Sequence, residues 1–213
     1  APQPPERVSD FSQPAADGGD LLRYYVDGPR VVAHFPRFGQ VRLNLAEGRS
    51  EGELLPAALL TGGALEDLLA IGLSPHLRRR GFFFAHAFAA AQDERAALLV
   101  GEIGAGKTTT GLALLCAGWR LLSNDSPLLR ADGRVYAYPG LLSAYPDSLA
   151  RFPPLQRLAA VPAERRKTLF AAESVWPGVW QDSAPLAAIF FPRIENRAQH
   201  ALERLLAPEA LRR

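Results

Sequence analysis

A chain of 213 residues with 48% apolar and 22% charged side chains can bury one sizeable α/β core plus a smaller appendage, which excludes global disorder and a fibrous repeat. The net charge is +2 with acids and bases interleaved, so the balance points to no nucleic-acid or lipid partner. Cys116 is the one cysteine, which excludes an internal disulfide and suits a reducing compartment.

In chain order, residues 1–20 bring few apolar side chains and no hydrophobic leader run, so a flexible tail is expected there. Three short apolar or alternating runs follow, Leu21 to Val26, Val31 to Phe35 and Val41 to Leu45. Asp27-Gly28 and Pro36 to Gln40 separate them with turn chemistry, which predicts a small antiparallel meander. Leu65 to Ile71 and Pro75 to Arg80 read as two helices, stopped by Gly72 and Gly81, with Ser74 capping the second. Residues 21–80 are thus expected as a small β-rich and helical subdomain, and 81–213 as the main domain. Arg78, Arg79 and Arg80 fit a solvated helix end better than a nucleic-acid patch, because no basic or aromatic stripe accompanies them.

Phe82 to Ala91 and Ala96 to Val100 predict a hairpin that delivers the chain into Gly101. Lys107 to Ala117 reads as a helix stopped by Gly118, and Trp119 to Leu122 as a strand, together the βαβ unit of a parallel sheet. Asp132-Gly133 predicts a second hairpin between Pro127 to Arg130 and Val135 to Tyr138. Residues 139–180, rich in Pro and aromatics, give no clear pattern. Leu186 to Phe191 is short and continuous enough for a buried strand, and Glu195 to Leu206 carries leucines at helical spacing. No apolar run approaches the thickness of a bilayer, so a cytoplasmic protein without a membrane partner is expected.

The segment Gly101-Glu102-Ile103-Gly104-Ala105-Gly106-Lys107-Thr108 fits G-x-x-x-x-G-K-[ST] at each required position. From this chain's own frequencies the chance match is on the order of one in a thousand, so a phosphate-binding loop is the stronger reading. A triphosphate needs many donors without bulky side chains. Glycines let backbone N–H groups turn inward, and the helix that follows adds the positive end of its dipole. Gly101, Ile103, Gly104, Ala105, Gly106, Lys107, Thr108 and Thr109 form the expected phosphate-binding set, with the Lys107 ammonium on the outer phosphates. Of 24 basic side chains only Lys107 and Lys167 are lysines. An ammonium is a compact point charge and a guanidinium a planar fork, so the choice of lysine in a narrow loop is chemical.

Magnesium on a triphosphate needs protein oxygens beyond the phosphates. Thr108 supplies a hydroxyl, and Asp125, after the strand ending near Ser123, supplies a carboxylate at the edge where α/β sheets place their ligands. An Asx-type turn with Ser126-Pro127 is the bland alternative for Asp125.

Over roughly His86 to Leu129 these residues resemble the HPr serine kinase/phosphorylase family, whose nucleotide core is similar to that of phosphoenolpyruvate carboxykinase. His86 precedes Gly101 by fifteen positions, and Gly118-Trp119-Arg120-Leu121-Leu122-Ser123-Asn124-Asp125 resembles the family's Gly to Asp-Asp run. The resemblance implies a P-loop core with a mixed sheet. It also implies magnesium-dependent transfer of the ATP γ-phosphate to a hydroxyl, commonly a serine of a protein or peptide. It gives the first acid of the pair a role as base and the second a role at the metal. Here Asn124 stands in the first place and Asp125 in the second, so the metal role carries over and the base does not.

An amide can orient a hydroxyl but cannot take its proton usefully near neutral pH. His86 is open to two readings, a substitute base or phosphate contact and a satisfied core histidine. The candidate catalytic residues are therefore Asp125, His86, Asn124 and Lys107. No Arg-Gly-Leu-Gly element follows, so HPr itself is not the expected acceptor. Arg165, Arg166 and Lys167 form a basic cluster suited either to transition-state charge or to a solvated loop. Beside the kinase stand two other readings, a nucleotide-sensing module that has lost turnover and a kinase of a small metabolite. The oligomeric state stays open, a homo-oligomer included.

Overall fold

Alternating apolar residues and tight turns build the first part of the chain into an antiparallel sheet. In the computed structural model, residues 7–10, 22–61, 63–159, 167–194, 201–206 and 209 are described. Strands β1 (Arg7–Asp10), β2 (Arg23–Asp27), β3 (Arg30–Phe35), β4 (Gly39–Asn44) and β5 (Arg49–Leu54) pair in sequence order. Helices α1 (Pro56–Leu60) and α2 (Ala64–Arg79) complete the unit, and Val41, Leu43, Ala58 and Leu68 form its buried centre.

The meander forms as expected, with an added strand at each end. β1 falls inside the stretch expected to be a tail, most of which lies outside the described residues. β5 gives no apolar signal because every one of its residues is exposed; six register pairs with β4 hold it, and an Arg42–Glu53 ion pair runs diagonally between two of them.

The two expected helices are one. Gly72 does not stop α2: it is buried against Val41, where a Cβ would lie 3.0 Å from Val41 Cγ1. Pro75 costs the helix a backbone donor. In the same turn the Ser50 hydroxyl donates to the Gly72 carbonyl at 2.8 Å and lies 2.8 Å from His76 Nε2, tying α2 to β5.

A second compact unit spans Phe84–Arg213, the first being Ala1–Phe83; the boundary falls within β6 (Phe82–Phe84). Its elements are β7 (Ala87–Gln92), β8 (Arg95–Val100), α3 (Lys107–Cys116), β9 (Arg120–Ser123), β10 (Leu128–Arg130), β11 (Arg134–Tyr136), β12 (Leu142–Ala144), α4 (Pro146–Leu149), α5 (Gln156–Ala159), β13 (Thr168–Phe170) and β14 (Ser183–Phe190). A mixed seven-stranded sheet runs in the order β6, β10, β11, β14, β8, β7, β9, and β12 pairs with β13 separately. Alternation along β7 sends Phe88 and Ala90 to one face and Ala87, Ala89 and Ala91 to the other. On the first face Phe88, Leu99 and Leu121 pack with Leu112 and Leu115 of α3 and with Leu142, Leu149, Leu155 and Phe170. Each such side chain contributes about 1.5–3 kcal/mol by leaving water. The described parts of the unpatterned stretch, 139–159 and 167–180, thus supply a cover over α3.

The predicted hairpins are present as β7–β8 and β10–β11. The βαβ expectation needs correction: β9 does not lie beside β8. The hairpin partner β7 occupies that edge, and β9 pairs antiparallel with the far side of β7. β14 is the parallel neighbour of β8, and from Pro185 to Phe190 it alternates between exposed and half-buried residues, Ile189 among the exposed, instead of being buried throughout. The terminal helix expected from Glu195 is absent from its described part, residues 201–206, and residues 195–200 lie outside the described set. Among the described residues no helix is long and apolar enough to cross a membrane.

Candidate functional site

Two antiparallel pairings in succession turn β8 and β9 the same way, so their carboxyl ends meet the amino end of β7 at one edge of the sheet. The register makes this concrete: Ala87 pairs with Val100, and Ala89 with Ser123. His86, Gly101 and the Asn124-Asp125 pair, each the next residue beyond its strand, therefore gather there. β14, parallel to β8, ends at the same edge and brings Pro192 and Ile194 to the loop.

The loop from Gly101 to Gly106 leads directly into α3. Gly104 (φ 86°) and Gly106 (φ 98°) hold left-handed backbone that other residues reach only with strain. The cradle is closely built: a Cβ on Gly101 would meet the Ala105 Cβ at 3.0 Å, and one on Gly106 would meet Ile194 Cγ1 at 3.3 Å. Ile103 projects outward, 97% exposed, as it must if only its backbone faces inward. α3 begins with no side-chain cap and no acidic residue in its first turn. Its amino-terminal N–H groups are left for an anion, where the helix dipole favours one. The Lys107 ammonium donates to the carbonyls of Gly101 at 2.6 Å and Glu102 at 3.2 Å, which lays it along the loop. Thr108 and Thr109 follow, both half-buried, and the Thr109 hydroxyl lies 3.3 Å from Ser148 Oγ of α4.

His86 is not a core residue. It sits in the turn before β7, and its Nδ1 lies 3.1 Å from Asp125 Oδ1, both side chains 59% exposed. With Nδ1–H donating to the carboxylate, Nε2 becomes the acceptor nitrogen. Asp125 is not engaged in the Asx turn either; the Ser123 hydroxyl receives the Ser126 N–H in that bend at 3.1 Å. Backbone bonds from Ala87 N–H to the Asp125 carbonyl and from Ala85 N–H to the Pro127 carbonyl, each 3.0 Å, fix this corner.

Asn124 donates from Nδ2 to the Leu141 carbonyl at 3.3 Å, while its Oδ1 is closed to solvent and has no partner among the described residues. A carbonyl only accepts, so Leu141 decides which way the amide faces.

Among the described residues no group of three His, Cys, Asp or Glu gathers to cage a metal. That donor set does not suit zinc. It does suit magnesium, which takes one or two protein oxygens and completes its shell with phosphates and water. Thr108 and Asp125 are the oxygens that would hold it.

The structure brings together Gly101 through Thr109, His86, Asn124 and Asp125. Sequence reasoning missed Leu141, Ser148, Pro192 and Ile194, because their place depends on long-range pairing and no motif marks them. Arg165 and Arg166 lie outside the described residues, whereas Lys167 is exposed with its ammonium 5.6 Å from the centre of the Tyr145 ring. No family model, curated protein or solved structure matches the chain.

Proposed function

We propose that the chain is an ATP-dependent kinase that binds the triphosphate with magnesium on Gly101–Thr109 and transfers the γ-phosphate to a hydroxyl of a protein or peptide. The observation that carries this reading is the uncapped start of α3 behind a glycine loop. Lys107 lies along that loop, and the His86–Asp125 pair stands at the same sheet edge. Backbone N–H groups of the loop bind the phosphates, and Lys107 neutralises their outer charge. Thr108 and Asp125 position the cation, which supplies charge neutralisation of the transferring group when bound. Asp125 also orients His86 and leaves its Nε2 as the hydrogen-bond acceptor. Phosphoryl transfer rests mainly on positioning and charge, so the missing acid at Asn124 slows the reaction without forbidding it.

The experiment is incubation with magnesium and γ-labelled ATP in the presence of serine-containing peptides. Label should reach peptide or water, and Lys107→Ala should reduce both transfer and calorimetric ATP uptake by at least about a hundredfold. Wild-type protein that takes up no ATP at millimolar concentration would refute the reading at its base.

A second reading, a nucleotide-sensing module with little turnover, is favoured by one observation: Asn124 turns its amide NH2 toward the Leu141 carbonyl and offers no proton acceptor of useful basicity. It predicts ATP uptake without label transfer.

A further inference from the structure

Lys167 is the other lysine in a chain that otherwise uses arginine for every cation. Nothing about the fold requires it: the side chain is exposed, and no carboxylate pairs with it among the described residues. Its place is nonetheless defined. β13 pairs with β12 so that Thr168 faces Ala144, which sets Lys167 beside Tyr145, the residue preceding α4. The ammonium sits over the Tyr145 ring at 5.6 Å. Three residues on, Ser148 Oγ meets the Thr109 hydroxyl at 3.3 Å, one residue past the metal-binding Thr108. Two contacts thus connect Lys167 to the first turn of α3, the turn whose N–H groups carry no cap.

The geometry points to Lys167 as a second phosphate-binding ammonium, delivered by β13 and seated on Tyr145 until a polyanion arrives. This rests on the nucleotide reading of the P-loop and adds a specific residue to it. A cation held on a ring face keeps its N–H groups free to donate, and a lysine stem is long enough to swing from the ring to a neighbouring oxygen. An arginine in the same seat would stack flat on the tyrosine, so the use of lysine here matches a group that must leave.

The test is calorimetry on the full chain with two probes, magnesium-ATP and inorganic tripolyphosphate, the latter lacking base and ribose. Lys167→Ala should weaken both by about tenfold or more, the scale of one lost charge-assisted contact. Tyr145→Leu should weaken both by a smaller factor, about threefold, by unseating the ammonium. The thermal midpoint without ligand should not move in Lys167→Ala, since the side chain is exposed. Affinities for both probes within about twofold of wild type would overturn the assignment, as would a loss confined to ATP, which would place Lys167 on the base or ribose. If Lys107→Ala abolishes uptake while Lys167→Ala leaves it intact, the P-loop reading survives and this one fails. If the wild type takes up neither probe, both fall.

Discussion

At the residue scale the informative position is Asn124. Its amide is fixed by the Leu141 carbonyl, and its oxygen is a buried acceptor without a donor among the described residues. Such an atom costs about 1–3 kcal/mol and calls for a ligand group or water to satisfy it. Asn124→Asp exchanges the donor for a second carboxylate. The bond to Leu141 is lost, two acceptors face each other, and stability should fall by about 1 kcal/mol in urea unfolding. Against that, the new carboxylate can take a proton from water or an alcohol. Phosphate release from magnesium-ATP should then rise by about a hundredfold, the lower end of general-base contributions. A variant that keeps ATP affinity yet releases phosphate no faster would mean that positioning alone sets the rate. The place of Gly101 and Asp125 after the carboxyl ends of strands was legible in the sequence. The exposure of His86 was not. Apolar neighbours in the chain suggest a buried strand, and only the hairpin register places His86 in the turn before β7.

At the element scale α3 rests on the sheet through Gly111, where a Cβ would come within 2.5 Å of the Phe88 ring. Phe88 is fully buried within the core cluster. Alanine is the better helix former by about 1 kcal/mol, yet overpacking a closed core costs about 1–3 kcal/mol, and here the second effect wins. Gly111→Ala should therefore lower the denaturation free energy by about 1 kcal/mol. Phe88→Leu placed in that background should recover part of the loss, the signature of direct contact. An increase in stability for Gly111→Ala alone would show that the helix shifts freely on the sheet.

Elements whose signal is local, namely α3, the Asp132-Gly133 hairpin and the three-strand meander, were readable from periodicity and turn residues. β5 was not, because Arg49–Leu54 is exposed along its whole length and exists only through its pairing with β4. Nor was the continuity of α2: Gly72 looks like a stop until Val41 is seen packed against it.

At the scale of the whole molecule, strand order is set by long-range pairing, which is why the place of β9 beyond β7 escaped a reading based on neighbours in sequence. The chain divides at Phe83/Phe84, close to the boundary read at Gly81. Each unit has a core of its own, Val41, Leu43, Ala58 and Leu68 in the first, and two clusters built on β7, β8 and β9 in the second. β6 belongs by pairing to the second unit's sheet, so a fragment must keep it. The fragment 81–213 carries the loop, Asn124, Asp125, His86 and Lys167 together with both clusters. It should fold cooperatively and take up magnesium-ATP with an affinity within about threefold of the full chain, measured by calorimetry beside a thermal melt. A folded fragment with ATP affinity reduced tenfold or more would assign part of the nucleotide site to the first unit. A fragment that fails to fold would show that the two cores are energetically one, despite their separation in the contact pattern.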